Sequence, residues 1–386
     1  MPRNRATGRK KLSSILVKPA GPDCNLACDY CFYRDKAKSF PGVTVHRMSE
    51  DILEETIRQL LEQGPKEVSI GWQGGEPTLT GLDFFRKAVE FQKAYGRGKT
   101  VGNGLQTNGL LLDREWARFL SEYRFLVGLS VDGPRELHDH HRIKAGGQPT
   151  WAETIDRARL LLDEGVETNA LAVVNAETVR YPAEIYGFLK DLGLVHMQFI
   201  PCVETDPNDP ACGAPFSSPG AAYGDFLIRI FDLWRNDFRE GQPTTFVRFF
   251  DSLFYLYAGL EPPECTLAAE CGSYLVVEHD GGVYACDFFV EDVWRLGDVR
   301  TGKLEHMLNS ARQTAFGRRK AELPGECRTC EYRLLCRGGC PKDRVRDPRD
   351  RGMNHFCTGL RAFFAHADPF FKQLAADWNA RQTLKV

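Results

Sequence analysis

The sequence predicts an α/β protein whose first two-thirds form parallel β/α units and whose last third is a smaller cysteine-rich domain. Two observations support this prediction. Short β-rich runs alternate with segments of helical periodicity as far as about residue 200, and cysteines become dense from Glu264 onward. Such alternation produces parallel sheets with right-handed crossovers. A partial (β/α)6 TIM-like barrel and an open doubly wound sheet both fit it, because periodicity alone does not distinguish them.

The individual elements can be placed from hydrophobic periodicity and turn residues. We predict strands over residues 14–18, 67–72, 101–106, 126–131, 168–174 and 195–200. We predict helices over residues 50–63, 82–95, 114–122, 151–164, 177–192, 223–238 and 246–258. A linker rich in Pro, Gly, Ser and Asp covers residues 205–220, and short strands cover 274–278 and 282–285.

These elements divide the chain into four segments. We expect a disordered basic tail over residues 1–13, the barrel over 14–235, a helical linker over 236–262 and the cysteine-rich domain over 263–386. The tail prediction rests on the basic residues between Arg3 and Lys11 and on the usual behaviour of chain termini.

Composition narrows the possible partners and the compartment. The formal net charge of −2 provides no general attraction to nucleic acid or to an acidic membrane. No stretch approaches the roughly 18 apolar residues of a membrane span, and no secretion signal is evident. We therefore expect a cytoplasmic protein. Structural disulfides are rare in that compartment, so the 13 cysteines indicate metal or redox chemistry.

Unusual residues follow each of the six predicted strands. In chain order they are Cys24, Cys28 and Cys31; the QGGEP segment 73–77; the QTNG segment 106–109; the SVDG segment 130–133; Asn175; and Pro201 with Cys202. Parallel β/α folds place their active sites at the carboxyl ends of the strands. The pattern therefore favours a barrel-type enzyme with its site at one mouth.

The first three cysteines have the spacing C-x3-C-x2-C. Three thiolates can hold three irons of a [4Fe–4S] cluster and leave the fourth iron open, as a catalytic metal requires. The alternative is a helix that buries all three cysteines on one face. Pro19, Gly21 and Pro22 favour a loop instead.

This motif, followed by the aromatic Phe32, resembles the radical S-adenosylmethionine (SAM) superfamily. The resemblance implies that SAM chelates the open iron and that one electron from the cluster releases a 5′-deoxyadenosyl radical. The GGEP segment resembles the superfamily's glycine-rich strand end, which binds the methionine part of SAM. Gly74 and Gly75 allow close backbone approach, and Glu76 can accept a hydrogen bond from an ammonium group.

Other residues match positions that contact SAM in this superfamily or in the family named below. They are Tyr30, Ser130, Arg142 and Val203. By position alone, Ser130 could be a helix cap and Arg142 a solvated surface residue. We interpret the neighbouring His138, His140 and His141 as polar loop residues that pack, because metal-binding histidines need companions at set spacing.

Eight further cysteines lie near the C-terminus. Cys327-x2-Cys330 and Cys336-x3-Cys340 are compatible with a zinc ribbon. The complete order of the eight resembles the SPASM extension of radical SAM enzymes, which binds two auxiliary [4Fe–4S] clusters. That resemblance assigns Cys265, Cys271, Cys286 and Cys340 to the first auxiliary cluster and Cys327, Cys330, Cys336 and Cys357 to the second. Cys202 and Cys212 receive no ligand role.

The chain as a whole resembles the anaerobic sulfatase-maturating enzymes. Matching stretches include KPA at 18–20, CFY at 31–33, WQGGEPTL at 72–79, QTNG at 106–109, QFIPC at 198–202 and YACDFF at 284–289. The departures are Trp72, where another aromatic residue such as Phe is usual, and Ala285, where Pro is usual. These two departures concern details of the cavity and leave the chemistry that the resemblance implies unchanged.

The family resemblance implies a reaction. These enzymes convert a Cys or Ser in a Cys/Ser-x-Pro-x-Arg segment of a sulfatase into Cα-formylglycine. The radical removes a Cβ hydrogen, Asp287 acts as the base toward the SH or OH, and an electron leaves through the auxiliary clusters. Tyr33 and Gln73 would line the substrate cavity. A surface or turn position is the alternative for Asp287.

The same resemblance implies an unfolded sulfatase polypeptide or peptide as substrate and a flavodoxin- or ferredoxin-type electron donor; we also expect a monomer. Two other hypotheses remain at this stage. One is a SPASM enzyme that builds thioether or carbon–carbon crosslinks in ribosomal peptides, which often carries an additional N-terminal domain. The other is a non-catalytic zinc or electron-transfer protein, which leaves the six strand-end motifs unexplained.

Overall fold

A computed structural model describes residues 9–383, apart from the side chain of Thr383. The strands are β1 (Ser14–Lys18), β2 (Glu67–Trp72), β3 (Thr100–Thr107), β4 (Leu126–Ser130), β5 (Thr168–Val174), β6 (His196–Pro201), β7 (Phe238–Arg239), β8 (Gln242–Pro243), β9 (Phe246–Val247), β10 (Leu275–Glu278), β11 (Gly282–Tyr284) and β12 (Arg295–Asp298). The helices are α1 (Glu50–Gln63), α2 (Leu82–Gly96), α3 (Arg114–Glu122), α4 (Arg135–His141), α5 (Trp151–Asp163), α6 (Pro182–Asp191), α7 (Gly220–Asn236), α8 (Arg248–Tyr257), α9 (Leu304–Leu308), α10 (Ala311–Ala321), α11 (Gly325–Arg328), α12 (Arg333–Cys336) and α13 (Cys357–Thr383).

The six predicted barrel strands are present and lie side by side in chain order. Strands β1 to β6 are parallel throughout, with helices between them. The α/β fold with a parallel sheet is therefore confirmed. In β2 and β3 buried residues alternate with more exposed ones, so one face of the sheet is fully covered and the other is not.

Two helical segments differ from the prediction. The helix predicted over residues 177–192 begins only at Pro182, because proline has no N–H to donate to a turn upstream. The histidines predicted to lie in a loop belong to helix α4. His138 and His141 are buried there, with His138 Nε2 3.1 Å from Thr150 Oγ1 and His141 Nδ1 2.8 Å from Asp29 Oδ1.

The C-terminal segment extends the barrel sheet instead of forming a separate one. Strand β10 pairs in parallel with β1, and β11 and β12 continue outward from it in antiparallel order. At the other edge β9 pairs with β6. The segment 236–262, predicted as a helical linker, thus contains β7, β8 and β9 besides α8. The predicted domain boundary at residue 262 does not separate two sheets, because the strands on both sides of it belong to one sheet of ten strands.

The predicted disordered tail is wrong for residues 9–13, whereas residues 1–8 lie outside the described residues. Leu12 is 1% exposed and belongs to the main hydrophobic core. The amide of Lys10 donates to Asn309 Oδ1 at 2.7 Å, and its Nζ donates to the Gly272 carbonyl at 3.0 Å. The basic composition of the tail indicated a solvated segment. Composition could not reveal these partners, because they lie far away in the sequence.

Helix α13 was not predicted, and it fastens the end of the chain to the barrel. It packs along α7 so closely that a Cβ on Gly224 would lie 2.3 Å from the Cα of Gly359. The contact depends on two helices that lack side chains at the same point. Within residues 9–383, no helix combines the length and apolar character needed to cross a membrane.

This contact can be tested by adding one methyl group. We expect Gly224→Ala to lower the free energy of unfolding by about 1–3 kcal/mol, because an inserted methyl forces closely packed backbones apart. Gly187→Ala on α6 is the matched control, since a Cβ there would meet no atom within 4 Å. It should raise stability by up to ~1 kcal/mol through helix propensity. Anaerobic urea unfolding measures both, and equal effects would contradict the close approach.

Candidate functional site

A cavity of about 860 Å³ opens at the carboxyl ends of the barrel strands and continues along their inner faces. Gly71, Gly102, Gly104 and Gly128 line the inner part of it. Because these residues have no side chains, the interior of the barrel stays open. The volume lies within the range of small-molecule and cofactor sites.

The loop after β1 carries the three predicted N-terminal ligands, and Cys24, Cys28 and Cys31 all line the cavity. The loop forms turns, so the alternative of three cysteines on one helix face is wrong. The Leu26 amide donates to Cys24 Sγ at 3.3 Å, and the Ala27 amide donates to the Ile143 carbonyl at 2.8 Å. The three thiols are thereby held in one short stretch of the cavity wall.

The glycine-rich turn after β2 packs directly on this cysteine loop. The amides of Gly75 and Glu76 donate to the carbonyls of Gly21 and Asp23 at 2.8 and 2.7 Å. A Cβ on Gly75 would lie 2.0 Å from the Asp23 carbonyl oxygen, so only glycine fits there. The glycines that were predicted to admit a ligand therefore also admit the backbone of the neighbouring loop.

Glu76 joins the ends of two strands below the cysteine loop. Its Oε1 accepts hydrogen bonds from the amide and hydroxyl of Thr78 at 3.0 and 2.6 Å and from the Thr107 hydroxyl at 2.8 Å. Its Oε2 accepts from the Asn108 amide at 2.8 Å. Burial raises the pKa of Glu76. The predicted contact with an ammonium group would be made in addition to this bracing role.

Arg142, Tyr30 and Asp132 form a buried polar cluster beside Cys28. Arg142 Nε donates to Asp132 Oδ2 at 2.9 Å, and the Tyr30 hydroxyl donates to the same carboxylate. Burial opposes the charge of Arg142, but Asp132, Tyr30 and Cys28 together outweigh it and raise the pKa of the guanidinium. Arg142 is 7% exposed, so the alternative of a solvated surface arginine is wrong.

The cavity brings together most of the predicted SAM contacts. Those on its wall are Tyr30, Gly74, Gly75, Glu76, Ser130 and Arg142. Val203 is fully buried in the hydrophobic core and does not line the cavity. Sequence matching placed Val203 correctly after β6 but carried no information about which way that segment turns.

Asp287, the predicted base, lies on the wall of the same cavity as Tyr33 and Gln73. Its Oδ1 accepts a hydrogen bond from the Tyr274 hydroxyl at 2.9 Å, and Lys18 Nζ lies 4.0 Å from Oδ2. Asp287 is 7% exposed, which excludes a surface position. Its neighbour Cys286 is a predicted cluster ligand, so the carboxylate stands between a cluster site and the cavity.

Three residues around Asp287 were not predicted to take part. Lys18 is fully buried, its Nζ has no hydrogen-bond partner among the described residues, and it lies 4.2 Å from the centre of the Tyr33 ring. The second residue is Glu278 at the end of β10, which accepts a hydrogen bond from the Tyr33 hydroxyl. The third is Tyr274, which donates a hydrogen bond to Asp287. A charged residue at the end of a short apolar strand was the available signal for Lys18 and Glu278.

The four cysteines predicted for the first auxiliary cluster lie near one another. The thiol of Cys265 is close enough to those of Cys271 and Cys340 for their charges to interact, and Cys340 interacts likewise with Cys286. The Tyr274 hydroxyl lies 3.6 Å from Cys286 Sγ. This group therefore adjoins Asp287 and the cavity.

The four cysteines predicted for the second auxiliary cluster line one small cavity, and Cys336 also lines the large one. They are Cys327, Cys330, Cys336 and Cys357. Cys340 does not line this cavity although it follows Cys336 closely in sequence. This division argues against a single zinc ribbon built from the consecutive cysteines of the segment 327–340.

The cysteines that belong to no group are Cys202 and Cys212. Cys202 is buried beside Cys28 and Tyr30, and Cys212 Sγ lies 3.4 Å from Asp209 Oδ2. The structure adds no ligand role for either.

The thiols fit iron–sulfur clusters. All thirteen cysteines are free, and burial raises the pKa of Cys24 and Cys265 to about 12 and that of Cys28 and Cys336 to about 11. The cysteines of the groups of three, four and four form no disulfides, so their sulfurs are available as ligands. Ligation replaces their protons, and soft thiolates suit iron–sulfur clusters.

Two family models match the chain, one in its N-terminal part and one in its C-terminal part. Residues 19–189 match the model of the Radical SAM superfamily, and residues 269–331 match the SPASM model, an iron-sulfur cluster-binding domain. The first match contains the cysteine loop and the glycine-rich turn. The second contains cysteines of both C-terminal groups.

Individual relatives are similar over most of their length. The chain is 38% identical to the serine-type anaerobic sulfatase-maturating enzyme of Bacteroides thetaiotaomicron, over 92% of this chain and 89% of that protein. It is 36% identical to the cysteine-type enzyme of Clostridium perfringens, over 92% and 96%. A structure described as native anSMEcpe with bound AdoMet and Cp18Cys peptide matches with a TM-score of 0.85, 34% identity and coverage of 94% and 99%. Streptococcus suis SuiB bound to S-adenosylmethionine shares the fold, with a TM-score of 0.60, 14% identity and coverage of 88% and 75%.

The cysteine groups lead to a prediction for metal content. Anaerobically reconstituted protein should hold about twelve irons, because three clusters carry about four each. Replacing Cys24, Cys28 and Cys31 together with Ala should remove about four of them and abolish formation of 5′-deoxyadenosine from SAM. Replacing Cys202 with Ala is the control and should leave the iron content unchanged. Zinc with only about four irons would contradict the two C-terminal clusters.

Proposed function

Because this chain belongs to the anaerobic sulfatase-maturating enzymes of the radical SAM superfamily, we propose that it oxidises a Cys or Ser in a Cys/Ser-x-Pro-x-Arg segment of a sulfatase to Cα-formylglycine. One observation carries the proposal at the level of the site. A buried carboxylate, Asp287, shares one cavity with the three-cysteine loop and directly follows a cysteine of the C-terminal group. Radical formation and proton removal can therefore act on the same side chain.

The cofactors are SAM and [4Fe–4S] clusters. We propose that Cys24, Cys28 and Cys31 hold the first cluster and leave one iron open, and that the two C-terminal groups of four cysteines hold the others. When bound, these cofactors supply a 5′-deoxyadenosyl radical and an acceptor for one electron. The residues on the cavity wall bind SAM and exclude water: Tyr30, Gly74, Gly75, Glu76, Ser130 and Arg142. Val203 supports this wall from the core.

Asp287 accepts the proton from the substrate SH or OH. The substrate carbon loses a hydrogen atom, the heteroatom loses a proton and one electron leaves, which balances the oxidation to the aldehyde or thioaldehyde level. Water hydrolyses a thioaldehyde to the aldehyde. The Tyr274 hydroxyl holds Oδ1 of Asp287 through a hydrogen bond of 2.9 Å, and Lys18 Nζ lies 4.0 Å from Oδ2. A base must be positioned before its basicity matters.

Tyr33 and Gln73 are proposed to contact the substrate. Both line the cavity that Asp287 also lines. The Tyr33 hydroxyl is bound to Glu278 and the ring packs on Lys18, so the ring itself is held in place. We infer that Tyr33 acts as a rigid wall for the substrate residue.

The proposal extends to the partners. The substrate is a sulfatase polypeptide that is unfolded at the modified residue, because the reacting atoms lie inside a cavity. A flavodoxin- or ferredoxin-type protein supplies the single electron that cleavage of SAM takes up, and the oxidation of the substrate releases one electron in turn. All site residues lie in one chain, so a monomer suffices. The thirteen free thiols favour a reducing compartment such as the cytoplasm.

The substrate proposal is tested with peptides. We expect the reduced enzyme with SAM to convert an 18-residue peptide containing Cys-x-Pro-x-Arg or Ser-x-Pro-x-Arg into a product that reacts with a hydrazide probe, because formylglycine is an aldehyde. A peptide with Ala at the modified position is the control. A product that has lost two hydrogens without hydrazide reactivity would indicate a crosslink and contradict formylglycine formation.

The role of Asp287 makes a separate prediction. Asp287→Asn should still cleave SAM but lower aldehyde formation by about 10²–10⁴-fold, since a positioned general base contributes about that factor. Tyr274→Phe keeps the carboxylate and loses only its hydrogen-bond donor, so it should lower the rate far less. Mass spectrometry of peptide and 5′-deoxyadenosine measures both quantities. Unchanged aldehyde formation in Asp287→Asn would reject Asp287 as the base.

A further inference from the structure

Of the buried cations near the C-terminal cysteines, Lys342 is paired with Glu204, whereas Lys320 and Arg344 have no such ion pair among the described residues. Lys320 on α10 is 0% exposed, and Arg344 is 7% exposed. The hydrogen bonds that the structure gives their charged groups all go to backbone carbonyl oxygens. Burying a charge with only neutral partners is unfavourable, so such cations require negative charge from another source.

Lys320 joins the two loops that carry ligands of the first auxiliary cluster. Its Nζ donates to the carbonyls of Thr266 and Gly339 at 2.6 Å each. These residues directly adjoin Cys265 and Cys340. The carboxyl group of Asp343 also interacts with the charge of Lys320. Its ion pair, however, is with Lys342, whose Nζ lies 3.9 Å away.

Arg344 lies between the two groups of four cysteines. Its Nε donates to the Gly338 carbonyl at 2.8 Å, and its terminal nitrogens donate to the carbonyls of Lys320 and Arg337 at 3.1 and 3.2 Å. Longer contacts of 3.4 Å reach the carbonyls of Arg319 and Glu322. Backbone from α10 and from the cysteine-bearing segment thus holds the guanidinium in place.

The groups whose negative charge can act on these cations are mainly cysteine sulfurs, which carry that charge once they ligate a cluster. Burial lowers the pKa of Arg344, and the groups that oppose this shift belong to both sites: Cys327 and Cys336 from the second, and Cys271 and Cys340 from the first. For Lys320 the opposing thiols are Cys271, Cys340 and Cys265 from the first site, and Lys320 also interacts with Cys336 of the second. Arg344 therefore faces both groups, and Lys320 faces chiefly one.

We propose that Lys320 and Arg344 set the reduction potentials of the two auxiliary clusters. Four thiolates outweigh the positive charge of an iron–sulfur core, so each ligated cluster is an anion that gains another negative charge when it accepts an electron. A fixed cation nearby stabilises the reduced form more than the oxidised form and raises the potential, since nearby charge and hydrogen bonding tune such sites. Arg344 raises the potentials of both clusters, and Lys320 raises mainly that of the first. The inference rests on the proposed function, because it requires the clusters.

The experiment is a redox titration of the reconstituted holoenzyme followed by electron paramagnetic resonance, with Lys320→Gln and Arg344→Gln as the test variants. In Lys320→Gln the reduction potential of the first auxiliary cluster should fall by ~59 mV. For a one-electron reduction this corresponds to a tenfold change in the equilibrium constant. In Arg344→Gln both auxiliary potentials should fall. The cluster held by Cys24, Cys28 and Cys31 should keep its potential in every variant and acts as the internal reference.

Arg349→Gln is the matched control, because Arg349 is exposed and paired with Asp347. It should leave all three potentials unchanged. Unchanged auxiliary potentials in both test variants at full iron content would overturn the inference, while iron content and SAM cleavage report separately on the proposed function. If a Gln variant loses iron, Arg344→Lys and Lys320→Arg decide: both keep the charge and should keep the wild-type potentials, and a fall in either would refute the charge effect.

Discussion

The architecture of the site depends on one backbone contact, the packing of the turn after β2 on the loop after β1. The two segments meet so closely that the Gly75 position excludes any side chain, and two amide hydrogen bonds join them. The cysteine loop contains little regular structure of its own. Its position relative to the barrel therefore comes from this contact and from the hydrogen bond of Ala27 to the segment after α4.

Buried charged groups then organise the space around the cysteine loop. Glu76 fastens the ends of β2 and β3, Asp132 holds Arg142 and Tyr30, and Asp287 is held between Tyr274 and Lys18. Each carboxylate is fixed by several donors or charges, which is how a buried ion is tolerated. The result is a cavity whose polar groups are positioned before any ligand enters.

The sequence predicted what depends on local order and on spacing. Strand β1 and helices α1 and α3 have the predicted bounds, because apolar periodicity, caps and turn residues are local properties. The grouping of cysteines was available only through family resemblance, since spacing alone allowed a zinc ribbon. What could not be predicted depends on contacts distant in sequence. The packing of Leu12 in the core, the pairing of β10 with β1 and the roles of Lys18 and Glu278 all require partners more than two hundred residues away or the final sheet order.

The pairing of β10 with β1 has a mechanical consequence. These strands form a continuous ladder from Ile15 and Leu275 to Lys18 and Glu278; the cysteine loop follows β1, and the Asp287 segment follows β11, the antiparallel neighbour of β10. A hinge motion that separated the N-terminal and C-terminal parts of the chain would have to break the backbone hydrogen bonds of that ladder. The ladder therefore keeps the part of the chain that carries the cysteine loop in fixed register with the part that carries Asp287.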